Sequence, residues 1–283
     1  MSSPYTRLDR PPLVVSALRR ALIRPGGLWT ALDIREQTGS TNADAAAAAR
    51  AGTPEGLVVV AERQTAGRGR LDRRWESPPR AGLALSVLLR PSVPASRLGW
   101  LPLLAGVALV ESVRRQAEVE AVLKWPNDLL IEDRKCAGIL AEAVPDAGPV
   151  AAQPAAGQPA VVVGIGLNVT LSEAELPRPD ATSLLLAGAA HTDRDPLLRA
   201  LLRELADWYE RWSAVDGDPG ASGLREAYRL HCATLGRQVT LALPGGGALT
   251  GTASDVDGDG RLVVAGADGY RTAVAAGDIV HLR

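Results

Sequence analysis

The stretch Gly67-Arg68-Gly69-Arg70-Leu71-Asp72-Arg73-Arg74-Trp75 packs four arginines, two glycines and one aromatic ring into nine residues. Guanidinium forks and unhindered backbone N–H groups suit phosphate and carboxylate oxygens, and glycine lets a ligand approach the main chain. An arginine run in an arginine-rich chain is commonly a solvated loop. Here the Gly-Arg-Gly-Arg alternation and the apolar β-type runs on either side favour an anion grip; an RNA-binding RGG tail would lack those flanking strands. A second cluster, Lys124-Trp125-Pro126-Asn127-Asp128, joins a cation, a ring, a rigid turn, an amide and a carboxylate, and Lys135 follows on the next strand. A surface hairpin would be the ordinary reading of Pro-Asn-Asp. These are, however, the only two lysines among 31 basic residues. Lysine is a compact point charge that the planar arginine does not replace at a tight site. Two lysines in one short β-turn-β segment therefore point to a shared task. The three asparagines, Asn42, Asn127 and Asn168, each adjoin a segment of this kind and offer donors and an acceptor without charge.

The elements that must position these groups follow from local pattern. A short helix fits around Leu13 to Ile23 before the Pro25-Gly26-Gly27 break, in an Arg- and Pro-rich segment, 1–28, with no room for a helix-turn-helix domain. Ala31 to Ile34 reads as a strand, and Ser40-Thr41-Asn42 supplies capping side chains for an alanine-rich helix through Ala51. Leu57 to Ala61 and Leu83 to Leu89 are strands, Pro102 to Ala117 is a helix, and Val122 to Trp125 and Leu129 to Ile131 form a hairpin. Cys136 to Ala143 and Val161 to Val169 read as buried strands joined by the Pro145–Pro159 stretch, whose composition predicts a mobile linker. Leu198, Leu201, Leu202, Leu205, Trp208, Tyr209 and Trp212 recur at helical spacing between Asp195 and Ser213. After Gly236 the texture turns to short β-runs punctuated by Pro244-Gly245, Asp257-Gly258 and Asp268-Gly269, the spacing of a small meander or barrel. The expected division is an N-terminal segment 1–28, a catalytic domain 29–234 and a small β-domain 235–283.

Several function classes are disfavoured. A net charge of −1 gives no bulk attraction to nucleic acid or an anionic membrane. No signal-peptide core follows the N-terminus and no unbroken apolar run of roughly 18–20 residues is seen, so a cytoplasmic protein is expected. Gly164-Ile165-Gly166-Leu167-Asn168 ends an apolar strand but lacks the third glycine and the helix of a dinucleotide fingerprint, and there is no Walker loop. Its glycines instead permit close packing against a planar ring or a neighbouring strand. Asp255 to Gly260 opens like a calcium loop, but Gly266 stands where the bidentate Glu belongs, and a hairpin turn is expected. His191, His231 and His281 are scattered and read as structural. Cys136 and Cys232 read as reduced, and Cys136, in an apolar strand, as an inert core thiol.

Taken together in order, Ser40-Thr41-Asn42, Gln64, GRGRLDRRW, KWPNDLLI, RKCAGIL and GIGLNV resemble the catalytic domain of biotin protein ligases, and the last 50 or so residues resemble that family's SH3-like domain. The motifs span roughly residues 30–170. Asp72 stands where the family's arginine loop usually has glycine; Asp tolerates positive φ better than most residues. The resemblance implies an α+β fold, a mixed sheet flanked by helices as in class II synthetases, and a short-form ligase that does not repress transcription.

It also implies a two-step reaction: biotin and ATP form biotinyl-5′-AMP, and a lysine of a carboxylase's biotin carboxyl carrier domain captures the acyl group. Two repelling anions must be neutralised as they approach, which is work for clustered cations. By family analogy Arg68 and Lys135 contact the biotin carboxyl or its adenylate, Lys124 lies nearer the phosphates, and Asp128 orients or deprotonates the incoming amine. Ser40, Thr41, Asn42 and Gln64, with Gly69, Arg70, Gly138, Gly164 and Gly166, would line the biotin site. Arg70, Arg73, Trp75, Lys124, Asn127, Asn168 and Arg283 would serve ATP. Mg2+ would accompany the nucleotide without a dedicated carboxylate cage. The rivals are a lipoate or octanoate ligase or transferase, whose channel should be apolar where Ser40, Thr41 and Gln64 are polar, and a non-enzymatic biotin-binding regulator.

Overall fold

A computed structural model describes residues 10–70, 73–145, 159–242, 247–267, 269–275 and 278–281. Leu71, Asp72, most of the Pro145–Pro159 stretch and Arg283, on which several expectations fall, lie outside the described residues. In chain order the first domain comprises α1 (Val15–Leu22), β1 (Ala31–Arg35), α2 (Thr41–Arg50), β2 (Leu57–Ala61), β3 (Gly82–Leu89), α3 (Leu101–Ala117), β4 (Val122–Lys124), β5 (Asp128–Ile131), β6 (Arg134–Val144), β7 (Ala160–Asn168), α4 (Arg194–Ser213) and α5 (Leu224–His231). The seven strands form one mixed sheet in the order β1-β2-β3-β7-β6-β5-β4, parallel only between β1 and β2.

Side-chain alternation divides the sheet's two faces. Val161, Val163, Ile165 and Leu167 of β7 join Leu83, Leu85 and Val87 of β3 in the main core with α3 and α4. The apolar stripe of α4 is buried from Leu197 to Trp212, each fully buried leucine contributing about 1.5–3 kcal/mol of transfer free energy. On the other face Ala45, Ala46 and Ala49 of α2 cover Val59, Leu88, Val144 and Val162 in a smaller core. The first turn of α2 turns Thr41 and Asn42 toward the same face, and a cavity opens beside them over β6 and β7. The stretch Ala95–Ala117 is long and apolar enough to cross a membrane by length and composition, but 67% of that window is buried inside the fold, as befits a core helix.

Two features depart from the sequence reading. Residues 10–28 do not stand apart from the catalytic domain: Leu13, Leu18 and Leu22 enter its core. Arg194 Nη1 meets Glu62 Oε2 at 2.5 Å and its Nη2 donates to Pro11 O at 2.6 Å, while Glu62 Oε1 accepts from Leu13 N at 2.7 Å. Arg10 straps the same segment to Thr170 O and Glu175. Helix α5 also had no expectation, since eight residues with one apolar face give little periodic signal.

The second sheet, β8 (Gln238–Ala242), β9 (Ala248–Val256), β10 (Leu262–Ala265), β11 (Arg271–Val274) and β12 (Asp278–His281), is antiparallel in the order β11-β10-β9-β8-β12, the SH3-like unit. The Asp255–Gly260 segment turns the chain between β9 and β10. Asp257 accepts the backbone N–H groups of Asp259 and Arg261, and Gly258 O and Gly260 O accept the indole N–H groups of Trp100 and Trp125 at 3.0 and 3.2 Å. The Asp257 carboxylate thus fixes the shape of the turn, and the Gly258 and Gly260 carbonyls dock it on the first domain. A Cβ on Gly99 would lie 2.4 Å from Asp259 O. Gly99→Ala is therefore expected to lower stability by about 1–3 kcal/mol, the usual cost of overpacking. An unchanged urea midpoint would show that this docking contributes nothing.

Candidate active site

Every site residue expected from the sequence, Arg283 excepted, lines one cavity of about 790 Å³ on the uncovered face of the large sheet. Small-molecule sites typically span roughly 300–1,000 Å³. Its floor is glycine: Gly138 on β6 and Gly164 and Gly166 on β7, facing α2 by strand alternation. A Cβ on Gly166 would lie 2.4 Å from the Trp75 ring, and one on Gly138 3.3 Å from that ring and from Lys135. The ring therefore rests on bare backbone.

One end of the cavity is polar and neutral. Ser40 caps α2 by accepting from Ala43 N, which turns the first residues of the helix into the pocket. Gln64 Oε1 accepts from Thr41 N at 2.8 Å and lies 3.1 Å from Thr41 Oγ1, so its NH2 group faces away from the helix, beside Gly67. Asn42 donates to Leu140 O at 3.3 Å and Glu142 Oε2 at 2.7 Å, and its Oδ1 accepts from Ser86 Oγ at 2.6 Å. Ser86 and Glu142 were not read from the sequence. Each sits in an ordinary strand, and only cross-strand register brings it under α2.

The other end is cationic. The arginine loop folds back as a small hairpin, with Arg68 paired to Arg74 and Trp75 N donating to Gly67 O. Arg68 reaches Glu142 at 3.1 Å, and Arg70 Nη1 donates to Asn127 Oδ1 at 3.2 Å. Asn127 is oriented in turn by its Nδ2 donation to Ile139 O. Lys135 reaches the cavity because of a bulge between β5 and β6: Leu129 opposes Ala137 and Leu130 opposes Lys135, leaving Cys136 as the extra residue. Without it, Lys135 would share a face with Ala137 and enter the core. With it, Lys135 joins Asp128 and Gly138 on the cavity face, its ammonium 2.6 Å from Asp128 Oδ1. Lys124, cross-strand from Asp128, lines the same space, and its ammonium makes no hydrogen bond or ion pair to any described residue. Arg178, Asp180 and Arg237, the last from the second domain, stand at the rim and had no expectation either.

Three expected residues have inward roles. Asn168 is almost fully buried and donates Nδ2 to Thr182 O at 2.9 Å, bracing the segment after β7. The Trp125 ring is buried against the second domain while its neighbours face the cavity. Burial pushes the Cys136 thiol up to about 12, and Cys136 is expected to resist alkylation in the folded protein at pH 8. Rapid labelling of Cys136 under those conditions would contradict its place in the core.

The geometry has known parallels. Residues 36–153 match the biotin/lipoate A/B protein ligase family, and residues 234–282 match the biotin protein ligase C terminal domain. The biotin–[acetyl-CoA-carboxylase] ligase of Mycobacterium tuberculosis is 44% identical over 279 residues, 97% of each chain. The bifunctional ligase/repressor BirA of Bacillus subtilis is 33% identical over 240 residues, 84% of this chain and 70% of that one. The solved biotin protein ligase of Aquifex aeolicus, in complex with biotin and ATP, superposes with a TM-score of 0.71 at 27% identity, covering 90% of this chain and all of that one.

Proposed function

The chain belongs to the family of biotin protein ligases, and from that premise we propose how its cavity divides the labour of joining biotin to a carrier lysine. In the first step a biotin carboxylate oxygen attacks the α-phosphorus of ATP, the bond to the β-phosphate oxygen breaks, and pyrophosphate leaves biotinyl-5′-AMP behind. In the second a neutral lysine amine of a carboxylase's biotin carrier domain attacks the acyl carbon, AMP departs and an amide remains. What supports this assignment is one observation: Arg68, Arg70, Lys124 and Lys135 converge on the same cavity whose opposite end offers uncharged donors and acceptors.

Arg68 and Lys135 hold the carboxylate, and Lys124, whose ammonium has no partner among the described residues, faces the triphosphate. Charge that builds on the phosphoryl oxygens is met by groups already in place, which is where such catalysis gains most. Trp75, resting on Gly138 and Gly166, offers a planar face to the adenine. Asp128, in contact with Lys135, orients the incoming amine and offers it an acceptor; free lysine titrates near ~10.4, so the amine must lose a proton before it attacks. Among the described residues no group of three His, Cys, Asp or Glu side chains is placed to hold a metal ion, and Asp128 and Glu142 are engaged by Lys135, Asn42 and Arg68. The described residues do not form a protein cage for Mg2+; the ion would arrive on the nucleotide's phosphates. Consumption of ATP supports the cytoplasm as the compartment, and the division near Thr234 separates the catalytic unit from the docked SH3-like unit.

Incubation with biotin, Mg-ATP and a biotin carrier domain, read by mass spectrometry, is expected to add one biotinyl group to the carrier. Modification by lipoate in place of biotin would overturn the assignment. Gly164→Ala gives a sharper check, because its Cβ would stand 2.0 Å from Asn42 Oδ1. Displacing that amide by overpacking of about 1–3 kcal/mol predicts a roughly 5- to 150-fold rise in the KM for biotin with the KM for ATP unchanged. Equal rises in both would contradict the placement of biotin beside Asn42.

A further inference from the structure

We infer that Glu142 is a positioning residue that selects a ring carrying N–H donors, an inference that rests on the assignment of the cavity's neutral end to biotin. Its carboxylate fixes the Asn42 amide with the oxygen available to the pocket. Leu140 O and the Glu142 carboxylate can only accept, so the two Asn42 contacts at 3.3 and 2.7 Å require the NH2 group to point at them. Asn42 Oδ1 therefore faces the other way, over Gly164, where Ser86 Oγ donates to it at 2.6 Å.

The direction then propagates. Ser86 is fully buried and has one proton, which Asn42 Oδ1 takes; its 2.7 Å contact with Thr41 Oγ1 must then receive the Thr41 proton. A neutral amide held only by hydroxyls could sit either way round, since a hydroxyl donates or accepts as required. The carboxylate at 2.7 Å, reinforced by the longer contact to the Leu140 carbonyl at 3.3 Å, removes that ambiguity. The polar end of the cavity is left with an acceptor at Asn42 Oδ1, which has a second lone pair, and a donor at the NH2 group of Gln64.

A cyclic urea presents N–H donors and a carbonyl acceptor and satisfies both groups. A dithiolane ring presents neither and would leave Asn42 Oδ1 short of a partner. Glu142 touches no reacting atom in this scheme; it acts through Asn42. Its contact with Arg68 at 3.1 Å also lies on the route between the ring end and the anion end, but half of the Arg68 side chain is exposed and the orienting role does not need it.

The test separates a neutral acceptor from a charge. Glu142→Gln keeps an acceptor for Asn42 but removes the ion pair with Arg68, whereas Glu142→Ala removes both. Glu142→Ala is expected to raise the KM for biotin by roughly tenfold or more, the scale of a lost hydrogen bond to a charged group, with kcat for adenylate formation and the KM for ATP within about threefold of wild type. Glu142→Gln should stay within about threefold of wild type in all three, and Glu142→Ala should add little in an Asn42→Ala background, because both changes remove the same function. An alanine variant with unchanged biotin KM, a glutamine variant as impaired as the alanine one, parallel rises in both substrate KM values, or additive effects in the double variant would each overturn the inference. The wild-type enzyme run beside them distinguishes this from failure of the wider reading, which would show as no biotin-dependent pyrophosphate release in any sample.

Discussion

Lys135→Ala is expected to slow biotin-dependent AMP and pyrophosphate formation by roughly 10²- to 10³-fold, the range seen when one preorganised stabiliser of transition-state charge is removed. The loss has two parts. The ammonium that neutralises the carboxylate disappears, and Asp128, 21% exposed, stays behind as an unmatched negative charge in the same space. Both act against an anionic substrate. An added Asp128→Asn change should therefore recover part of the binding lost in Lys135→Ala, though not the catalytic rate. The thermal midpoint should change little, because Lys135 lies on the cavity side of the bulge and supports no core contact. Wild-type rates in the single variant would remove Lys135 from the mechanism. Lys135→Arg should also be impaired, since a planar fork does not fill the place of a compact ammonium.

Arg194→Ala should have the largest effect on stability. Arg194 and Glu62 are 5% and 4% exposed, and together they hold Pro11 O, Leu13 N and Gly82 O. Removing the cation strands a buried carboxylate, which costs about 3–5 kcal/mol. That is a large share of the roughly 5–15 kcal/mol that separates folded from unfolded states in most domains. Urea unfolding should show the loss, and the segment from Arg10 to Leu13 should become susceptible to proteolysis. A change below about 1 kcal/mol would mean that the N-terminal strap is incidental. Glu62→Gln should cost less, because a neutral acceptor for Leu13 N and Arg194 remains.

The candidate site was legible where chemistry is local. Ser40-Thr41-Asn42 declares a helix start, the Gly-Arg alternation declares an anion loop, and two isolated lysines mark a hairpin; all three meet at one cavity. What stayed hidden depends on register and on distant pairs. Nothing in Arg134-Lys135-Cys136-Ala137 announces a bulge, yet that bulge decides whether Lys135 faces ligand or core. Glu142, in an alternating Ala-Glu-Ala run, reads as a solvent-facing strand residue until α2 is laid over it. Glu62 and Arg194 are 132 positions apart, and neither carries a local signal of burial. The Asp255–Gly260 turn was recognisable as a turn, but its docking on Trp100 and Trp125 is a tertiary fact. Core strands and long helices were the most legible, because β7 and α4 each carry an unbroken period of burial. The short helix α5 and the role of residues 10–28 were the least so.

The most direct test is exchange of radiolabelled pyrophosphate into ATP, measured with no carrier protein present. If opposed cations bring the biotin carboxylate onto the α-phosphorus in this cavity, exchange will require biotin, will not be supported by lipoate, and will fall by roughly 10²- to 10³-fold in Lys135→Ala. Exchange that proceeds without biotin, that lipoate supports equally, or that keeps its wild-type rate in Lys135→Ala would contradict the account.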